Sequence, residues 1–355
     1  MAEYIYFFNK DTLIVKPPKK SPMFLRMIVL LFAMVCGVFI CSIRLKQISN
    51  PTRIRVQSIR VIQIPSIDYG IKQIEIPRDN GTQQSEIPLV HYPKPQTFSR
   101  AECAHNPVQF FAIISMQRSG SGWFETLLNS HSNVSSNGEI FSVIDRRKNI
   151  SSIIKTLDKV YNLDWFTSAS KNECSAAVGL KWMLNQGLME HHKEIVEYFN
   201  RRSISAIFLF RRNLLRRLVS VLANSYDRYA KLLNGTHKSH VHSPTEAKTL
   251  SRYKPVINST SLITDLKEVE VTANKALEYF NSTRHIILYY EDLVTNHTKL
   301  NDVLEFLRLP QMELTSRQVK IHTGSLSEHI KNWDDINRTL NGTAYESFLR
   351  ADYKK

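Results

Sequence analysis

The sequence predicts an α/β domain on a mostly parallel sheet with helices on both faces, carried behind one N-terminal apolar segment. Apolar runs at 110–116, 176–180, 204–210 and 285–290 are separated by longer amphipathic stretches. Strands alternating with helices imply parallel neighbours buried on both sides. The 355 residues are 43% hydrophobic and 22% charged. That is enough for one large core, and it excludes a wholly disordered chain, a collagen-like repeat and a polytopic membrane protein. The apolar segment is residues 27–43, MIVLLFAMVCGVFICSI, uncharged between Arg26 and Arg44.

In chain order, residues 1–26 are expected as a cytoplasmic tail and 27–45 as a transmembrane signal anchor. The uncharged run covers roughly 25 Å of a hydrocarbon core about 30 Å thick, and the flanking arginines can snorkel. The long stretch before it, and the lack of a small-x-small site after it, argue against a cleaved signal peptide. Basic residues balance across the segment, with Lys10, Lys16, Lys19, Lys20 and Arg26 before it and Arg44, Lys46, Arg53, Arg55 and Arg60 after it. Charge therefore does not orient it. Glycosylation sequons do: Asn80, Asn133, Asn149, Asn234, Asn258, Asn281, Asn296, Asn337 and Asn341 all lie beyond it, which points to a lumenal body and a type II topology.

Residues 46–105 contain Pro51, Pro65, Pro77, Pro88, Pro93 and Pro95 and only short β-like pieces, the composition of a stem. The domain proper is expected over 106–355. Cys103 and Cys174 are the two cysteines outside the anchor, and in an oxidising lumen such a pair is expected to bridge. The net charge of +15 calls for an anionic partner: a nucleic acid, a membrane surface, a phosphorylated nucleotide or an acidic glycan. A lumenal body without a reader motif argues against nucleic acid.

The first strand feeds Gln117, Arg118, Ser119, Gly120, Ser121, Gly122 and Trp123, a small-residue turn opening a helix. Glycines there let backbone N–H groups converge on an anion, the serines can donate hydroxyls, and the helix dipole favours negative charge. An ordinary loop has the same composition. No Lys-Ser/Thr pair follows the glycines, so the β/γ-phosphate and Mg²⁺ grip of a kinase or ATPase is missing. A second junction runs from the strand at 204–210 into Arg211, Arg212 and Asn213 and then a helix. On it Leu214, Leu215, Leu218 and Leu222 share one face, with Asn213, Arg216, Arg217, Ser220 and Asn224 on the other. Arg212 sits where open α/β sheets bind ligands, whereas Arg216 and Arg217 also read as a solvated basic face.

A strand followed by [K/R]-S-G-[S/T]-x-W, then a strand ending in Arg with Ser eight residues on, resembles the P-loop-type sulfotransferases that use 3′-phosphoadenosine-5′-phosphosulfate (PAPS). Here these positions are Arg118 to Trp123 and Arg212 with Ser220. Weaker likenesses lie at Gly138-Glu139-Ile140-Phe141, Tyr290-Glu291-Asp292-Leu293 and Leu326 to Trp333. Together they span roughly 108–350, most similar to the nodulation-factor type and Golgi carbohydrate sulfotransferases. The resemblance implies a three-layer fold, a 5′-phosphosulfate held by Arg118, Ser119, Gly120, Ser121, Gly122 and Trp123, and a 3′-phosphate held by Arg212 and Ser220. It also implies PAPS as co-substrate without a metal, a carbohydrate hydroxyl as acceptor, and a Golgi membrane location. Arg118 stands where cytosolic members carry Lys.

Sulfuryl transfer needs charge neutralisation at the leaving oxygen, for which Arg118 suffices, and a base for the acceptor's proton. Glu139 is the first choice, with a structural salt bridge as the alternative use of that carboxylate. His191 and His192 are the runners-up. Two other function classes stay open: a nucleotide kinase or hydrolase using Glu291 or Asp292, and an inactive anchored binding protein.

Overall fold

The computed structural model describes residues 107–165 and 175–350, together with a short antiparallel pairing of Phe8–Asn9 with Thr12–Leu13. The chain divides into two units, Met1–Asn80 and Gly81–Lys355, and all that follows concerns the second. The expected anchor, the stem, Cys103 and Cys174 lie outside the described residues.

Five strands form one sheet: β1 Gln109–Ser115, β2 Val134–Ser136, β3 Ala177–Met183, β4 Ile204–Phe210 and β5 His285–Tyr289, in the order β2-β3-β1-β4-β5. Every pairing is parallel. β3 and β4 are buried at every position, which is why both read as continuous apolar runs instead of alternating ones.

The helices that place the site are α1 Ser121–Leu128, α2 Ile150–Tyr161, α3 His192–Arg201, α4 Leu214–Ala230, α5 Pro244–Ser251 and α6 Leu262–Tyr279. They are followed by α7 Tyr290–Thr295, α8 Lys299–Phe306 and α9 Trp333–Leu340. Side chains alternate across the strands, so the two faces of the sheet own separate cores. Ile114, Leu180, Trp182 and Phe208 pack with Leu157, Phe199 and Phe280 of the α2, α3 and α6 side. Phe111, Ile113, Ile207 and Leu209 pack with Phe124, Leu128, Val303 and Leu304 of the α1 and α8 side. Helix–sheet–helix is the three-layer arrangement the sequence called for.

Chain order around the sheet makes β1 the switch point, with β3 and then β2 on one side and β4 and then β5 on the other. In open α/β sheets the crevice beyond the carboxyl ends of such strands is where ligands bind.

Candidate functional site

A cleft opens there, and every strand end supplies it. β1 leads into Gln117, Arg118 and Gly120; beyond β2 stands Glu139; β3 contributes Lys181 and Met183; β4 leads into Arg211; β5 leads into Tyr290. Ser220 and Asn224 of α4 and a segment from Gln318 to His322 complete the walls.

The turn after β1 is a tight cradle. Gly120 has φ +87°, and a Cβ on it would lie 2.3 Å from Cδ2 of Tyr290, while one on Gly122 would lie 2.5 Å from the His240 ring. Glycine is therefore required at both positions by the rings that close over them. Gly120 caps α1 without any side-chain hydrogen bond, leaving first-turn N–H groups without intrahelical partners, as at every helix start. The buried Ser119 Oγ has no partner. Trp123 meets Tyr290 edge to face, ring centroids 5.5 Å apart.

Arg118 Nε donates to Ser220 Oγ at 2.9 Å and Nη1 to the Ser239 carbonyl at 2.7 Å, so the structure joins the first motif to the serine of the second. Desolvation, with Arg211 adding repulsion, lowers the Arg118 pKa to about 10, which still leaves it a cation at neutral pH. Arg211, Arg216, Lys181, Arg228 and Lys320 also line the cleft, and Glu139 is the lone carboxylate among the described lining residues. Six like charges against one carboxylate make a site that gains most from a multiply charged anion.

Glu139 is held from two sides. Gln186 Nε2 donates to its Oε1 at 2.6 Å, and Lys181 Nζ stands 3.7 Å from its Oε2. Lys181 is also 3.2 Å from Glu125 Oε2, and Glu125 accepts from Ser136 Oγ at 2.7 Å and from the Gly138 N–H at 2.9 Å. A buried network thus links α1, β2 and β3 and fixes the turn that carries Glu139. The carboxylate is both ion-paired and one-third exposed to the cleft, so the two uses considered for it coexist.

Arg212 is placed differently from what its motif implied. It points out of the cleft, with Nη2 and Nε donating to Asp292 at 2.7 and 3.2 Å and its guanidinium 3.9 Å above the Tyr289 ring. Consecutive residues leaving a strand face opposite ways. The inward place goes to Arg211, which pairs with Glu291 at 3.3 Å and lies 4.9 Å from the Tyr290 ring. Arg216 is not part of a solvated face either: it is buried and donates to the Gly324 carbonyl at 2.9 Å. Arg217 donates to the Gln117 carbonyl at 2.9 Å, bracing the cradle from behind. His191 and His192 do not line the cleft; His192 stacks on Tyr279 at 3.7 Å and bonds the Met189 carbonyl.

No protein-family profile matches the chain. Nodulation protein H of Rhizobium tropici is 22% identical over 247 residues, 68% of this chain and 93% of that protein. The likeness is distant, but it runs over most of both chains. Among solved structures, the sulfotransferase domain from the curacin biosynthetic pathway is 18% identical, covering 70% of this chain and 93% of that domain, with a TM-score of 0.31. A mouse sulfotransferase complexed with PAP is 12% identical, covering 69% of this chain and 76% of that one, with a TM-score of 0.33.

Sequence reasoning missed Lys181, Arg211, His240, Lys320 and His322 as cleft residues. Lys181 did carry a signal: it is the one charged residue within the apolar strand AVGLKWM, and a buried lysine requires partners. The histidines carried none. If Arg211 is the cation that meets the donor, Arg211→Ala weakens adenosine 3′,5′-bisphosphate by about tenfold or more, a charge-assisted contact being worth about 1.5–3 kcal/mol. Arg212→Ala then changes it little, since an exposed pair such as Arg212–Asp292 contributes under about 1 kcal/mol. Calorimetric titration of both variants checks this, and the reverse order of losses returns the role to Arg212.

Proposed function

We propose that this chain transfers the sulfuryl group of PAPS to a hydroxyl of a glycan or glycosylated acceptor. The observation that carries the reading is the cleft at the strand ends: six Lys or Arg side chains and one carboxylate over a glycine cradle. That set fits a bisphosphorylated, sulfated donor and lacks the lysine grip of an ATP enzyme. In the reaction the bond between sulfur and the bridging phosphate oxygen breaks and a bond from sulfur to the acceptor oxygen forms. The acceptor's proton passes to Glu139, and Arg118 neutralises the charge left on the bridging oxygen. Arg118, Ser119, Gly120, Ser121, Gly122 and Trp123 surround the 5′ end of the donor, and Ser220 with an adjacent arginine holds its 3′-phosphate.

Calorimetry with adenosine 3′,5′-bisphosphate against ATP plus Mg²⁺, followed by labelled-sulfate transfer to a panel of oligosaccharide hydroxyls, tests this. Preference for Mg·ATP would turn the reading toward a kinase or hydrolase. Bisphosphate binding without transfer to any acceptor would leave an inactive binding protein.

We also propose that the catalytic body is lumenal, on a Golgi membrane, behind a type II anchor. Of the eight sequon asparagines in the described body, Asn149, Asn234, Asn258, Asn281, Asn296, Asn337 and Asn341 are exposed and Asn133 is partly so, which supports glycosylation. In intact microsomes the body resists protease and its mass falls on deglycosylation; digestion of the body, or no mass change, would overturn the topology.

A further inference from the structure

His322 ends the segment from Gln318 that lines the cleft. It is 8% exposed and its Nε2 has no hydrogen-bond partner, although it lines the cationic cleft. Its ring meets His329 at right angles, centroids 5.2 Å apart, and His329 is itself tied to the Thr323 carbonyl through Nε2. An unpaired buried imidazole nitrogen costs free energy unless a ligand completes it. The cleft that His322 lines is one that attracts anions.

The charged and titratable groups around His322 come from every neighbouring element. Arg118 approaches from the cradle, Arg211 from the end of β4, Arg216 from α4 and His329 from the turn beyond. Asp227 of α4 and Lys238 share a smaller hollow with His322, and Asp227 is already engaged by His237 at 2.6 Å. Lys181, Lys320 and His240 line the main cleft. Positive neighbours therefore predominate. Burial, with His329 and the arginines adding repulsion, lowers the His322 pKa to about 3, so the ring is neutral at physiological pH. An entering dianion reverses the local field and offers Nε2 an acceptor.

We propose that His322 is a ligand of the donor's phosphate that takes up a proton as the anion binds, so that nucleotide binding and release are proton-linked. This rests on the PAPS reading above. The sign follows from linkage: a group that binds a proton only in the complex makes the complex tighter as pH falls. If the bound ring regains a pKa near the ordinary value of about 6.5, affinity contributed by His322 rises about tenfold between pH 7.5 and 5.5.

The test is titration calorimetry of the full-length chain with adenosine 3′,5′-bisphosphate at pH 7.5, 6.5 and 5.5, in two buffers of different ionisation enthalpy. Wild type, His322→Gln and His322→Asn are compared, with thermal unfolding of each to confirm folding. The nucleotide's own titration cancels in the difference. The expected result is proton uptake by the wild type in excess of both variants, growing toward pH 5.5, with the affinity gain over that range reduced about tenfold in both. Equal proton counts in wild type and folded variants overturn this inference and leave the donor site standing. No bisphosphate binding at any pH overturns the donor reading and this inference together.

Discussion

Glu139→Gln lowers turnover by about 10² to 10⁴ while adenosine 3′,5′-bisphosphate still binds, because the amide keeps the shape of the side chain and loses only its capacity to accept a proton. The surroundings of Glu139 make this a clean test. Gln186 holds Oε1 at 2.6 Å, and an amide at 139 can present its own oxygen there. Lys181 keeps its shorter pairing to Glu125 at 3.2 Å, so no buried ammonium is left without a carboxylate. The fold and the cationic cradle therefore persist, and the loss falls on the chemical step. His191→Ala and His192→Ala retain nearly full turnover, since neither side chain reaches the cleft. Single-turnover rates with labelled PAPS and one oligosaccharide acceptor, measured beside calorimetric affinities, decide the matter. Near-normal turnover in Glu139→Gln would end its assignment as the base.

Arg118→Ala cuts turnover by about 10² to 10³, the cost of removing one preorganised donor to a developing oxyanion, and weakens product binding less. The asymmetry arises because charge on the bridging oxygen grows only as the sulfur–oxygen bond breaks, so the guanidinium is worth more in the transition state than in either bound nucleotide. Its orientation is set in advance by Ser220 Oγ at 2.9 Å and the Ser239 carbonyl at 2.7 Å, and it remains protonated at neutral pH. Arg118→Lys rescues part of the rate by restoring the charge, but a lysine cannot repeat the two-point fork. The same single-turnover and affinity measurements apply. Equal losses in rate and in product affinity would mean that Arg118 only binds the nucleotide.

The alternation of apolar runs with amphipathic stretches by itself determined the layered parallel sheet. β4 appears over the residues its pattern marked, β1, β3 and β5 differ from their patterns only at the ends, and the short β2 lies outside the four apolar runs. Such patterning is local: each strand's burial is written in its own side chains. The cradle was legible for the same reason, since its glycines lie between an apolar strand and a helix, whereas the bond from Arg118 to Ser220 joins two motifs that the sequence assigned to different ends of the donor. Which of Arg211 and Arg212 turns inward was not legible, because it depends on the phase in which β4 ends and on Glu291 and Asp292 of α7 taking one arginine each. The burial of Arg216 likewise depends on Gly324, remote in sequence, whose carbonyl receives it. Lys181 shows the division most plainly. Its place in an apolar strand demanded a countercharge, but only the packing of α1 and the β2 turn against β3 decided that Glu125 and Glu139 supply it. A side chain's period along its own element is a property of the sequence, whereas its partner across the sheet is set by tertiary structure.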